Sequence, residues 1–452
     1  MARSTARRTV VAAVGLGTAL ALTACGSGTP GEPSGGDQTA DGATTIEFWH
    51  RTFTPVENEW YKGIVEQFNE AQSEIHVKVT EIPADAWDQK MKTAQAAGKA
   101  PDVYTFSGSI HDAQGAGQLL ELNDIVPAER LEEMIDPAKA VSSIDGTYYA
   151  YPLLLEPQTV LFWNETMLEA AGVDATAAPE TWDDLLAACE KIQPTLAAGQ
   201  YCISPAQDAA TFAWSTVGQQ FNAAGHTALA DDWTAPAIDD DGYRALMGMY
   251  KQLWDGGYMP KQVLAPYVEA KDFGEEKVAF KVSGSWMMSE IGSDYPDLIE
   301  TTGVGRFPTM PGSDRTATTM GKFMWVVDAK TTKAEAAGEF LSWAIAGEPD
   351  LLVPFFVDTQ FTKVPVRPSV QEALAAAEGS QDAPWSAVVI DEIAPDAIGE
   401  PAYPWDVSLA VGTAMESVMK GAASVDDAIA TAEQAIQTVI DRENLSAKAP
   451  TK

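Results

Sequence analysis

Thr44-Thr45-Ile46-Glu47-Phe48-Trp49 is the stretch whose reading decides the fold. Its β-branched and aromatic residues suit a strand. His50 and Arg51 follow it, then a loop with Pro55 and a predicted helix from about Val56 to Asn69. Trp60, Ile64 and Phe68 fall four apart on one face of that helix. Ile75-His76-Val77-Lys78-Val79 alternates as a second strand, Trp87–Ala97 reads as a helix, and Pro101 to Phe106 as a third strand. A β-α-β-α-β order predicts a parallel sheet covered by helices, hence an α/β protein.

Downstream, a second unit is expected to begin near Tyr151. Val160–Trp163 reads as a strand, and Thr181 with Asp184 forms a near capping box at the start of a helix. Gly242–Asp255 is a predicted helix, and Val278–Val282 a short strand before Gly284-Ser285-Trp286. Phe323–Val327 reads as another strand, Lys333–Ala346 as a helix, and the C-terminal part as helices over 408–419 and 425–442. The body is long for a single core, so two lobes are expected.

Upstream, Arg3, Arg7 and Arg8 precede an apolar run from Val10 to Leu22, which ends in Leu22-Thr23-Ala24-Cys25-Gly26. The run is short for a spanning helix and meets small residues before a cysteine, the pattern of an exported lipoprotein leader. Residues 1–24 are thus expected to be removed, Cys25 to carry lipid, and 25–43 to form a Gly/Ser/Thr/Pro-rich tether. The protein is placed at the outer face of the cell membrane, lipid-anchored.

The chain holds 29 basic and 65 acidic residues, a net charge of −36. Loss of the three leader arginines takes it to −39. Such a field argues against nucleic acid and anionic lipid surfaces as partners. It says little about a neutral solute. Apart from Cys25, only Cys189 and Cys202 are present, and an oxidising compartment favours a disulfide between them. Four scattered histidines offer no ligand spacing, so no metal and no cofactor is expected.

Taken in order, several motifs resemble the extracellular solute-binding proteins of ABC importers, in the carbohydrate-binding family that includes the maltose-binding protein. They are Phe48-Trp49-His50, Gly98-Lys99-Ala100-Pro101-Asp102-Val103, Leu119-Leu120-Glu121-Leu122, Tyr151-Pro152, Phe162-Trp163-Asn164 and Pro179 to Leu185. Ala279-Phe280 to Trp286, Phe307-Pro308, the Ala334–Trp343 helix and Val425 to Ala428 continue the series. The resemblance implies a periplasmic-binding-protein-like fold: two α/β lobes, a hinge and an interlobe ligand cleft. Lobe 1 is expected over 44–150 and 316–364, and lobe 2 over 151–315 and 365–445. A sugar ligand, the membrane permease of an importer and a monomeric receptor are implied with it.

Ligands of open α/β sheets sit beyond the carboxyl ends of strands. His50 and Arg51 follow the first strand and either reach the cleft or line a surface loop. Phe106 matches a family aromatic platform, with Ser107 or Ser109 as hydroxyl donors. Glu156, a carboxylate in an apolar run, either grips sugar hydroxyls or holds the hinge by an internal hydrogen bond. Trp286 ranks first among thirteen tryptophans, Trp405 matches a family aromatic site, and Trp214 is a further candidate. Lys322 and Arg367 are contacts or hinge residues. The aromatic surface favours a di- or oligosaccharide. No nucleophile elbow, Walker loop or metal motif is visible, so binding rather than catalysis is expected. A non-sugar solute such as a polyamine or peptide, and a secreted carbohydrate-active enzyme, are the alternatives.

Overall fold

The computed structural model describes residues 42–84, 86–379 and 383–449. The leader, Cys25 and nearly all of the expected tether lie outside the described residues. The opening β-α-β-α-β unit is β1 (Thr44–Arg51), α1 (Pro55–Ala71), β2 (Ile75–Ile82), α2 (Trp87–Ala96) and β3 (Val103–Phe106). Parallel pairing of β1 with both β2 and β3 matches the sequence reading. α1 starts where Pro55 supplies a preset φ and the Thr54 amide donates to Glu57 Oε2 at 3.1 Å. Its Trp60, Ile64 and Phe68 are buried in the core, Phe68 against Phe340 and Trp343 of the Ala334–Ala344 helix and Trp60 against Trp325 and Phe355.

After a small hairpin of β4 (Ser143–Ile144) and β5 (Thr147–Tyr148) comes β6 (Tyr151–Pro157). Read from sequence as the opening of the second unit, β6 instead hydrogen-bonds within the first sheet. Its residues are buried without alternation, because this strand is covered on both faces. The second sheet comprises β7 (Val160–Asn164), β8 (Tyr201–Ser204), β9 (Val278–Ser283) and β10 (Thr302–Arg306), ordered β10-β7-β9-β8. The chain then returns to the first sheet through β11 (Thr319–Val327), β12 (Val364–Pro365) and β13 (Ile398–Gly399). That sheet runs β12-β6-β11-β3-β1-β2, with β13 beside β11. Two α/β lobes result; one core cluster lies within the second lobe, and the other runs from the first sheet onto Val160, Phe162 and Val278 of the second. The Pro368–Ala375 helix, expected in the second lobe, packs with the Val353–Asp358 helix in the first lobe's core.

Three segments cross between the sheets and are joined to one another. The Gln158 amide donates to Thr319 O at 2.8 Å, and the Ile398 amide to Thr318 O at 3.0 Å. Thr318 Oγ1 donates to Thr159 O at 2.6 Å. The Val217–Ala224 helix begins on this crossing, with the Gly218 amide 2.9 Å from Thr319 Oγ1. A Cβ on Gly218 would lie 2.2 Å from the Thr318 carbonyl carbon, so no larger residue fits.

Cys189, on the Trp182–Ile192 helix, is joined to Cys202 on β8, with both residues buried and their Cα atoms 5.3 Å apart. Closing so short a loop restricts the unfolded chain. The C189A/C202A double variant is expected to lose about 3 kcal/mol in denaturant unfolding; an unchanged midpoint would show that the helix–strand contact alone holds this corner.

Candidate functional site

Both β3 and β6 run antiparallel to β11, and β1 parallels β3, so the carboxyl ends of β1, β3 and β6 share one edge. β9 ends against the same edge, where the Ser285 amide donates to Pro157 O at 2.9 Å. The crossing segments lie there too. Strand ends from both lobes therefore converge on the position where α/β folds bind ligands.

On the first lobe, the Arg51 guanidinium is half-buried above the rings of Phe53 and Phe323, at 5.5 and 5.6 Å. Burial lowers its pKa, and its Nε has no hydrogen-bond partner. Phe106 ends β3 with its ring folded back over Gly108, where a Cβ would lie 3.0 Å from it. Ser107 is exposed beside it, whereas Ser109 Oγ caps the next helix by accepting from the Asp112 amide. Lys322 pairs with Glu400, which also accepts from Gln158 Nε2 at 2.9 Å, tying β11 to two crossings.

Glu156 is buried and its carboxylate is engaged internally. Lys363 Nζ donates to Glu156 Oε2 at 2.6 Å and lies 3.4 Å from Glu57 Oε1. All three side chains are removed from solvent. Burial pushes the Glu156 carboxyl up, opposed by the Lys363 charge. Burial pulls Lys363 down, but the two carboxylates outweigh it and hold its pKa above the ordinary value. Of the two roles read for Glu156, the internal one is occupied.

On the second lobe, Trp214 and Trp286 lie 6.3 Å apart and tilted by 36°. Tyr267 meets Trp214 edge-on at 5.3 Å. The Trp286 ring lies across Gly284, where a Cβ would clash at 1.8 Å, and its Nε1 donates to Val268 O at 3.0 Å. Trp405 opens the Trp405–Met419 helix and is 47% exposed.

Two expectations need correction. His50 points into the core, stacked on Tyr61 at 4.7 Å, with Nδ1 2.9 Å from Arg51 O. Strand alternation carries Ile46, Phe48 and His50 to the same buried face, and burial lowers the histidine pKa. Arg367 is wholly buried, donating to Ala346 O at 3.1 Å and lying 3.3 Å from Glu133 Oε2. It braces the first lobe and is not brought to the other candidates. Sequence reasoning missed Glu57, Lys363 and Tyr267. The Thr54-x-x-Glu57 box was readable, and Lys363 stands out as a cation within Phe355–Val366, but nothing local shows that they meet Glu156.

Two lobes joined by a bonded triple crossing, with aromatic faces at the converging strand ends, define a hinged binding protein. The chain belongs to the bacterial extracellular solute-binding protein family, matched over residues 54–348. A multiple sugar-binding protein of Streptococcus mutans is 23% identical over 73% of this chain and 76% of its own length. An sn-glycerol-3-phosphate-binding periplasmic protein of Agrobacterium fabrum is 25% identical over 34% of this chain; the match spans only 37% of that relative. The cyclic α-maltosyl-1,6-maltose binding protein from Arthrobacter globiformis superposes with a TM-score of 0.71 at 24% identity, covering 89% of this chain and all of that one. The GacH receptor of Streptomyces glaucescens does so at 0.75 and 19% identity, covering 88% and 99%.

K363M tests the buried triad. A carboxyl whose folded pKa exceeds its unfolded value favours the fold while protonated, and that stability is lost as pH rises through the folded pKa. The Glu156 shift has this sign, and removing Lys363 enlarges it. The variant is expected to be destabilised by about 3 to 5 kcal/mol near pH 8 and by less near pH 5. Denaturant unfolding at both pH values checks this; a loss independent of pH would show that removing Lys363 does not enlarge the Glu156 shift.

Proposed function

We propose that this protein is the capture component of a bacterial importer, binding a sugar, in particular a di- or oligosaccharide, and delivering it to a membrane permease. The observation that carries this reading is the Trp214–Trp286 pair beside the interlobe crossing. Flat indole faces suit the C–H faces of pyranose rings, while Arg51 and Ser107, on the first lobe, supply hydroxyl partners. The Streptococcus mutans relative carries sugar binding in its name, the Arthrobacter globiformis neighbour is named for cyclic α-maltosyl-1,6-maltose binding, and the GacH receptor was solved with acarbose. Binding needs no covalent step. A solute touching both lobes favours the closed form by its extra contacts there, and the closed form docks on the permease.

Phe106, Trp214, Trp286 and Trp405 are the proposed aromatic contacts, with Lys322 and Glu156 supporting them from within. Residues 1–24 are proposed as a cleaved leader and Cys25 as the lipid attachment that keeps a monomeric receptor at the outer face of the membrane. A phosphorylated polyol is the second reading, supported by the unpartnered Arg51 Nε and by the glycerol-phosphate-binding relative.

A thermal-shift panel of mono-, di- and oligosaccharides, sn-glycerol-3-phosphate and polyamines tests both. A saturable upward shift with one saccharide group supports the first reading through linkage. A shift confined to glycerol phosphate and lost at high salt replaces it with the second. W286A is expected to weaken saccharide affinity by at least about tenfold in calorimetric titration, the order expected of an aromatic anchor. Affinity equal to wild type would remove Trp286 from the site.

A further inference from the structure

Tyr267 stands between the aromatic pair and the crossing. Its ring packs perpendicular to Trp214, at 89°, while its hydroxyl donates to Gln158 O at 2.8 Å. Gln158 is the residue at which the chain leaves β6 for the second lobe. A second link runs in parallel. Ser215, next to Trp214 in sequence, accepts through its carbonyl from Thr159 Oγ1, and Thr319 Oγ1 lies 3.5 Å from the same oxygen. Tyr267 through its hydroxyl, and the residue after Trp214 through its backbone carbonyl, are therefore bonded to two of the three segments that a hinge motion must turn.

The segment carrying Tyr267 is itself held rigidly. Ser283 Oγ donates to Tyr267 O at 2.8 Å, and Trp286 Nε1 takes the neighbouring Val268 O. The buried Lys281, paired with Asp272 at 2.8 Å, reaches Pro266 O at 3.5 Å. Burial pushes the Tyr267 phenol well above its ordinary range, opposed by Thr159 and Ser215, so it remains a donor at every working pH. A tyrosine needed only for packing could satisfy its hydroxyl on any nearby carbonyl. This one uses the carbonyl at the point of crossing.

We propose that Tyr267 and the Ser215 carbonyl form a latch that couples the second-lobe aromatic pair to the interlobe crossing, so that a solute resting on Trp214 biases the hinge directly. The inference builds on the proposed function, since it assigns the solute to the Trp214 side. Rotation about the crossing changes the backbone angles of Gln158 and Thr159, so hydrogen bonds to these residues differ between open and closed forms. Tyr267 is a positioning residue on this account: it acts through Trp214 and Gln158.

Hydrogen exchange on the full chain tests the latch in Y267F and T159V, which remove one hydroxyl each and keep the packing. Without ligand, both variants are expected to speed exchange of the Gln158 and Ile398 amides about fivefold, the worth of one net hydrogen bond. The β1 and β2 amides should exchange as in wild type. A residue that merely stabilised its own lobe would speed exchange across the second sheet instead, and that pattern overturns the proposal. Crossing amides that exchange at wild-type rates in both variants also overturn it. Maltotriose serves as the solute probe. Protection of the crossing in wild type that is reduced in Y267F supports the coupling, and equal protection in both overturns it. If maltotriose leaves the wild-type crossing unprotected while the variants still speed it, the latch stands and the saccharide reading is what fails.

Discussion

The hydrogen bonds that join the three crossing segments to one another are what the rest of this molecule depends on. Gln158 to Thr319, Ile398 to Thr318 and Thr318 to Thr159 make one knot of three otherwise independent connections. Independent linkers would allow the lobes many relative orientations, whereas bonded ones restrict them to rotation about a shared axis. Gly218 shows how closely the parts fit, since its Cα rests on the Thr318 backbone with no room for a side chain. Strand ends from both sheets reach this knot, so the candidate site adjoins the crossing.

The first-lobe side is dominated by charge taken out of water. Lys363 stands between Glu156 and Glu57, and removing it would leave two buried carboxylates without their shared cation. The arrangement fixes α1, β6 and the turn before β12 relative to one another. The second-lobe side presents aromatic faces, backed by hydrogen bonds and by the buried Lys281–Asp272 pair.

Much of this was legible in the chain. The β1-α1-β2-α2-β3 unit, the Thr181 cap and the Cys189–Cys202 bridge follow from local pattern, and the structure contains all three. Residues at strand ends were harder. His50 and Arg51 are adjacent, yet alternation sends the histidine into the core while Arg51 turns over Phe53. Tyr151–Pro157 reads as apolar and buried, but which sheet it joins depends on partners at Phe323 and Val364. Lys363 lies 207 positions from Glu156, and no local signal reports a contact at that range.

The Trp286 indole has its N–H committed to Val268 O and its ring laid flat on Gly284. It therefore has no donor left for a solute and offers only a smooth plane. On the proposed reading, a sugar unit set there would be sorted by the flatness of its underside and hardly at all by which hydroxyl points where. Stereochemical discrimination by polar groups would then fall to Arg51 and Ser107 on the first lobe. A receptor built this way would sample broadly on one wall and reject on the other.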